Sequence, residues 1–126
     1  MKTDTYKEKD LKIRTKKFSL DTIDIVENMD YSIAKKVVMT QIVRSGTSVG
    51  ANFRATQRAR SDNEFIAKMN IVLEEVDECI FWLEIINDKK WYNVEDLLKE
   101  ANELTSIFVS ILKTMNNKKT TQNSKL

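Results

Sequence analysis

Four cations, Lys36, Arg44, Arg54 and Arg58, fall within about 80° of arc when residues 30–60 are wound as one helix, and Arg60 lies close by. A cationic stripe with no acid in it is suited to tracking phosphates, the way most protein contacts to a nucleic acid backbone are made. The other residues able to do chemistry are carboxylates at i,i+3 spacing, Glu75-x-x-Glu78 and Glu100-x-x-Glu103. Clustered carboxylates hold magnesium. On the helical wheel, however, these acids sit about 60° or more from the core centres of their helices, which suits solvated faces or ion pairs to the arginines better than a metal site. The chain has no histidine, and its single cysteine, Cys79, reads as a small core residue. A di-iron bundle would need Glu-x-x-His and is excluded. No catalytic residue, metal ligand or cofactor is therefore assigned.

The elements that position these side chains follow from what the chain lacks. It has no proline and only two glycines, Gly46 and Gly50, one helical turn apart in Ser45-Gly-Thr-Ser-Val-Gly-Ala-Asn52. A glycine inside a helix costs about 1 kcal/mol relative to alanine, so two at this spacing imply a close approach by a backbone or a ligand. A phosphate loop would need a preceding strand and a Lys-Ser/Thr pair after the last glycine, but Ala51-Asn52 stands there and helical periodicity runs into the segment. The expectation is a continuous helix with another helix packed tightly against it.

With so little turn chemistry, an all-α protein is expected, and 126 residues that are 41% apolar and 32% charged fit one domain. The spacing predicts helices from about Thr15 to Met29, from an Asp30 cap to about Arg60, from Ser61 to about Asn87, and from Asn93 to about Met115. Ser61-Asp-Asn-Glu64 is a capping box. Four amphipathic helices on short links make an antiparallel up-and-down four-helix bundle over 15–115. Residues 1–14 read as a flexible basic N-terminal arm and 116–126 as a flexible polar C-terminal tail. No apolar run approaches the roughly 18 residues of a membrane span, and the N-terminus lacks a signal peptide's apolar stretch, so a cytoplasmic protein is expected.

Helix two departs from the simple amphipathic pattern. Its inward face mixes Ala34, Val38, Ile42 and Val49 with Gln41, Ser45 and Asn52, a polar ladder expected to be buried and internally hydrogen-bonded. A second face gathers Met39, Val43, Gly46, Gly50 and Phe53, apolar or small residues expected to point away from the core. An exposed apolar stripe is a candidate homo-oligomer interface.

The run Gln41-x-x-Arg44-Ser45-x-x-Ser48-x-x-x-Asn52, followed by Ser61, Phe65-Ile-Ala-Lys68, Glu75, Glu78 and Trp82-Leu83, resembles the four-helix-bundle proteins encoded in 23S ribosomal RNA intervening sequences. The accessory variability determinants of diversity-generating retroelements resemble the same pattern. The resemblance covers about residues 16 to 115. It implies a ring-shaped homopentamer, a basic surface suited to RNA and, in the retroelement branch, partnership with a reverse transcriptase. Where that family usually places acidic residues after the asparagine, this chain has Arg54 and Ala55. The change makes helix two more basic and removes any role that depends on the acid.

Net charge is only +2 but unevenly placed: residues 1–17 carry seven basic and three acidic groups, residues 30–60 six and one, and residues 61–88 one and eight. The leading expectation is a non-enzymatic oligomeric scaffold that binds structured RNA through Lys36, Arg44, Arg54, Arg58 and Arg60, mainly by phosphates. A protein adaptor using the apolar face of helix two with Trp82, Trp91 and Tyr92 is the alternative. A magnesium-dependent enzyme like the all-α nucleotide pyrophosphohydrolases, which the Glu-x-x-Glu pairs resemble in spacing alone, ranks last.

Overall fold

The computed structural model describes residues 8–124, which form α1 (Glu8–Asn28), α2 (Ile33–Thr56), α3 (Asp62–Asp88) and α4 (Glu95–Ser124). The links between them are short, so each helix runs back along the one before it. Consecutive helices pack along their lengths, whereas α1 meets α4 only sparsely. The result is an all-α, up-and-down four-helix bundle. No described helix is long and apolar enough to cross a membrane.

Each helix contributes one stripe to the core: Leu11, Phe18 and Ile25 from α1, Val38, Ile42, Val49 and Phe53 from α2, Met69, Val72, Val76, Cys79 and Leu83 from α3, and Leu104, Phe108 and Ile111 from α4. The Phe53 and Phe108 rings stack at 6.1 Å across the bundle. Buried hydroxyls are satisfied within their own helices: Thr22 Oγ1 donates to Ser19 O at 2.7 Å and Thr56 Oγ1 to Phe53 O at 2.6 Å.

The caps explain where the helices start and stop. Ser61 accepts from the N–H of Glu64 at 3.1 Å as the capping box requires, and Asn93 accepts from the N–H of Glu95 at 3.1 Å. Helix two is shorter than expected at both ends. Ser32, not Asp30, is its N-cap, accepting from the N–H of Lys35 at 3.1 Å. The chain needs the preceding residues to turn, because Met29 is still buried as the last member of the α1 stripe. The helix ends at Thr56, which gives residues 57–61 to the next link.

Two outer boundaries also move. Helix α1 begins at Glu8 rather than near Thr15, because Leu11 and Thr15 extend the Phe18–Thr22–Ile25 stripe by about two turns and are buried. Half of the expected arm is thus helix, and its first seven residues lie outside the described residues. Helix α4 continues past Met115 to Ser124, with Lys118 Nζ 3.6 Å from the Asp62 carboxylate at the start of α3. Residues 125–126 of the expected tail lie outside the described residues.

Candidate nucleic-acid interface

Gly46 and Gly50 build the site by letting α1 approach α2. Helix α2 runs unbroken through both, and a methyl group on Gly46 would lie 2.5 Å from Thr22 Cγ2 and 2.7 Å from Thr22 Cβ. On Gly50 it would lie 2.7 Å from Ser19 Oγ and 3.1 Å from the Thr15 carbonyl. Ser19 stitches the seam, donating to Gly46 O at 2.7 Å and accepting the N–H of Gly50 at 3.1 Å. The close-packed reading of the glycines is correct, but the neighbour is α1 of the same chain. This overturns the second face as an outward interface: Gly46 is buried against Thr22, Gly50 faces Ser19, and Phe53 is in the core. Met39 and Val43 are half-exposed, as is Gly50 beside Ser19.

The polar ladder is also narrower than expected. Ser45 is buried, donates to Gln41 O at 2.9 Å and accepts from the Cys79 thiol at 3.2 Å. Burial pushes the Cys79 thiol up to about 12, against the lowering effect of the Ser45 hydrogen bond. Gln41 and Asn52 are half-buried and bond within their own helix, Asn52 to Ser48 O at 2.8 Å, and Gln41 accepts from Arg44 at 3.4 Å. Both lie on the edge of the inward face, where partners one turn away on the same helix are within reach.

Above the glycine seam, Lys12, Lys16 and Arg54 border a groove of about 330 Å³ with Ser19, Thr47, Gly50 and Ala51. No carboxylate lines it, and none of the three cations enters an ion pair among the described residues. Three unneutralised charges over hydroxyls and a bare backbone attract an anion of the size and charge of a phosphate.

The expected stripe of four cations, with Arg60 beside it, is divided by the structure. All five are exposed. Arg54 joins the groove, and Lys36 lines a second groove further along the α1–α2 seam. Arg44 turns the other way, onto α3, with Nη1 3.2 Å from Glu75 and Nη2 bonded to Glu78, which also accepts from the Trp82 indole at 3.2 Å. The Glu78 hydrogen bond raises the Arg44 pKa. Burial pushes Glu78 up, but the Arg44 and Trp82 hydrogen bonds outweigh it and hold the carboxyl below its ordinary range. Arg58 and Arg60 lie past the end of α2, and Arg60 sits 3.5 Å from Glu64. The wheel could not show this, because it ran helix two four residues too far and left out the neighbouring helix.

Lys12 was missed because it was assigned to the arm, and Lys16 because it was placed in the first turn of helix one with no view of the neighbouring helix. The signal was present in the spacing of Leu11, Thr15 and Phe18, which continues the α1 stripe and sets Lys12 and Lys16 on the flank toward α2.

The Glu-x-x-Glu pairs are occupied by arginines: Glu75 and Glu78 by Arg44, and Glu100 and Glu103 by Arg14, at 2.7 and 3.1 Å. Among the described residues no group of three or more histidine, cysteine or acidic side chains is placed to hold a metal ion.

No curated protein matches the chain. A crystal structure of a protein of unknown function from the S23 ribosomal protein family of Bacteroides thetaiotaomicron is similar over 86% of this chain and 99% of that one, at 30% identity and a TM-score of 0.76. Residues 8–113, which span all four helices and the whole α1–α2 seam, match the 23S rRNA-intervening sequence protein family, and the chain belongs to that family.

Proposed function

We propose that the protein is a non-enzymatic, self-associating scaffold that binds structured RNA by its phosphates along the α1–α2 seam. The observation that carries this reading is the convergence of Lys12, Lys16 and Arg54 on one groove where, among the described residues, none of them is ion-paired and no carboxylate joins the lining. Phosphate contacts position a protein on nucleic acid without reading sequence, so binding is weakly sequence-specific. The family's name makes ribosomal RNA the first ligand to test.

Self-association would use the apolar side chains the bundle leaves outside, chiefly Ile33 at 83% exposure and Val37 at 59% on α2, and Phe81 at 53% on α3. These replace the glycine face, which α1 already covers. Light scattering that finds five subunits would agree with the assembly the family resemblance implies.

Filter binding to a ribosomal RNA hairpin at low salt tests the RNA reading. The Lys16→Glu/Arg54→Glu double variant should stay folded, because both side chains are exposed. It should bind about tenfold or more weakly, since two attractive charges become repulsive. Lys99→Glu/Lys113→Glu on α4 changes net charge equally and should bind nearly as well as wild type. Equal loss in both variants, or no wild-type binding, would favour the protein-adaptor reading.

A further inference from the structure

The α1–α2 seam holds a second groove, of about 400 Å³, lined by Val26, Tyr31, Lys36, Met39, Thr40 and Val43. It differs from the first in being almost wholly apolar, with Tyr31 standing 69% exposed in the link between the helices. It shares one property with it: among the described residues, a cation lines it and no carboxylate does. By contrast, the groove between α1 and α4 carries Asp21, Asp24, Asp96 and Glu100 against a single cation, Lys17, which is paired with Asp21. A polyanion is therefore admitted along one seam of the bundle and turned away from the other.

From Thr40 in the apolar groove to Ala51 in the basic one is eleven residues of α2, about 16 Å at 1.5 Å per residue. A single RNA strand crosses that span in a few nucleotides. Proteins that bind RNA outside a duplex stack unpaired bases on exposed aromatic rings while cations hold the neighbouring phosphates. Tyr31 offers such a ring, Val26, Met39 and Val43 offer an apolar wall, and Lys36 supplies a cation on the same groove.

We infer that this apolar groove receives an unpaired base of the RNA strand whose phosphates lie in the Lys12–Lys16–Arg54 groove. The inference rests on the RNA reading above and narrows it: the ligand is RNA with a single-stranded loop, bulge or end, not an uninterrupted duplex. A second copy of this chain is the competing occupant, and the test separates the two.

Fluorescence anisotropy with a labelled oligoadenylate and a blunt RNA duplex of the same strand length, at low salt, gives the readout, with light scattering on the same samples. Wild type should bind the single strand more tightly. Tyr31→Ala should weaken the single strand about fivefold or more, leave the duplex within about twofold, and leave oligomer size unchanged. Tyr31→Trp should retain single-strand binding. The inference is overturned if Tyr31→Ala weakens neither ligand, weakens both alike, or instead breaks the oligomer. If wild type binds neither RNA, the RNA reading itself fails. If wild type binds the duplex and Tyr31→Ala is silent, only the base groove fails.

Discussion

Glu78 shows how one side chain is withdrawn from one role by holding another. It accepts from both Arg44 and Trp82, so it anchors α2 to α3 and takes Arg44 out of the cationic stripe. Its pKa is lowered in the folded protein by those hydrogen bonds, in excess of the upward push of burial. Its contribution to stability is then complete above the ordinary glutamate value of about 4.3 and is lost as pH falls through the lower folded value. The carboxylate is about a third exposed, so the contribution is modest. Glu78→Gln should be less stable than wild type by about 1 kcal/mol or less near pH 7, and the gap should shrink at an acidic pH below the ordinary glutamate value. Urea unfolding at both pH values checks this, and a gap that persists undiminished at the lower pH would contradict it.

At the scale of the helix, two predictions follow from backbone geometry. A methyl on Gly46 meets Thr22 at its Cβ and both branches, whereas one on Gly50 meets the movable Ser19 hydroxyl first. Each substitution gains about 1 kcal/mol of helix propensity. Gly46→Ala should still lose about 1–3 kcal/mol by overpacking, and Gly50→Ala less. Denaturant unfolding that finds Gly46→Ala as stable as wild type would show that the seam is not tight. The α3 terminus supplies the second prediction. The Lys90 N–H reaches Asn87 O at 3.0 Å and the Trp91 N–H reaches Ile86 O at 3.1 Å, with Lys90 at φ 57°, which is a Schellman end with a lysine in the left-handed position. Lys90→Gly should raise stability by about 1 kcal/mol, and a fall in Tm would contradict the assignment.

The four stripes, the Ser61 cap and the close packing at the glycines were legible because periodicity and capping are local. What was not legible depended on neighbours. Whether Gly46 faces α1 or a second copy, and whether Arg44 is free or held by Glu78, is decided by which helix lies alongside. The arm was misplaced because a stripe with threonine at two of its positions, Thr15 and Thr22, is weak on hydrophobicity alone.

The whole molecule is more polar in its layout than a net charge of +2 suggests. Its α1–α2 seam presents cations over two grooves that no described carboxylate lines, and its α1–α4 side presents a cleft of about 540 Å³ with four acids and one cation, Lys17. Such a field orients an approaching polyanion before contact. Helix α1 separates the two sides, with Lys12 and Lys16 on one flank and Asp21 and Asp24 on the other. The close approach at Gly46 and Gly50 brings the α1 lysines beside Arg54, an arrangement the proposed RNA seam depends on. The most direct test is the salt dependence of wild-type binding to structured RNA. Three phosphates neutralised by Lys12, Lys16 and Arg54 predict that log K falls with log salt at a slope of about −2 to −3, flattening in the Lys16→Glu/Arg54→Glu variant. Binding that ignores salt, or a slope the variant leaves unchanged, would contradict the phosphate-binding seam.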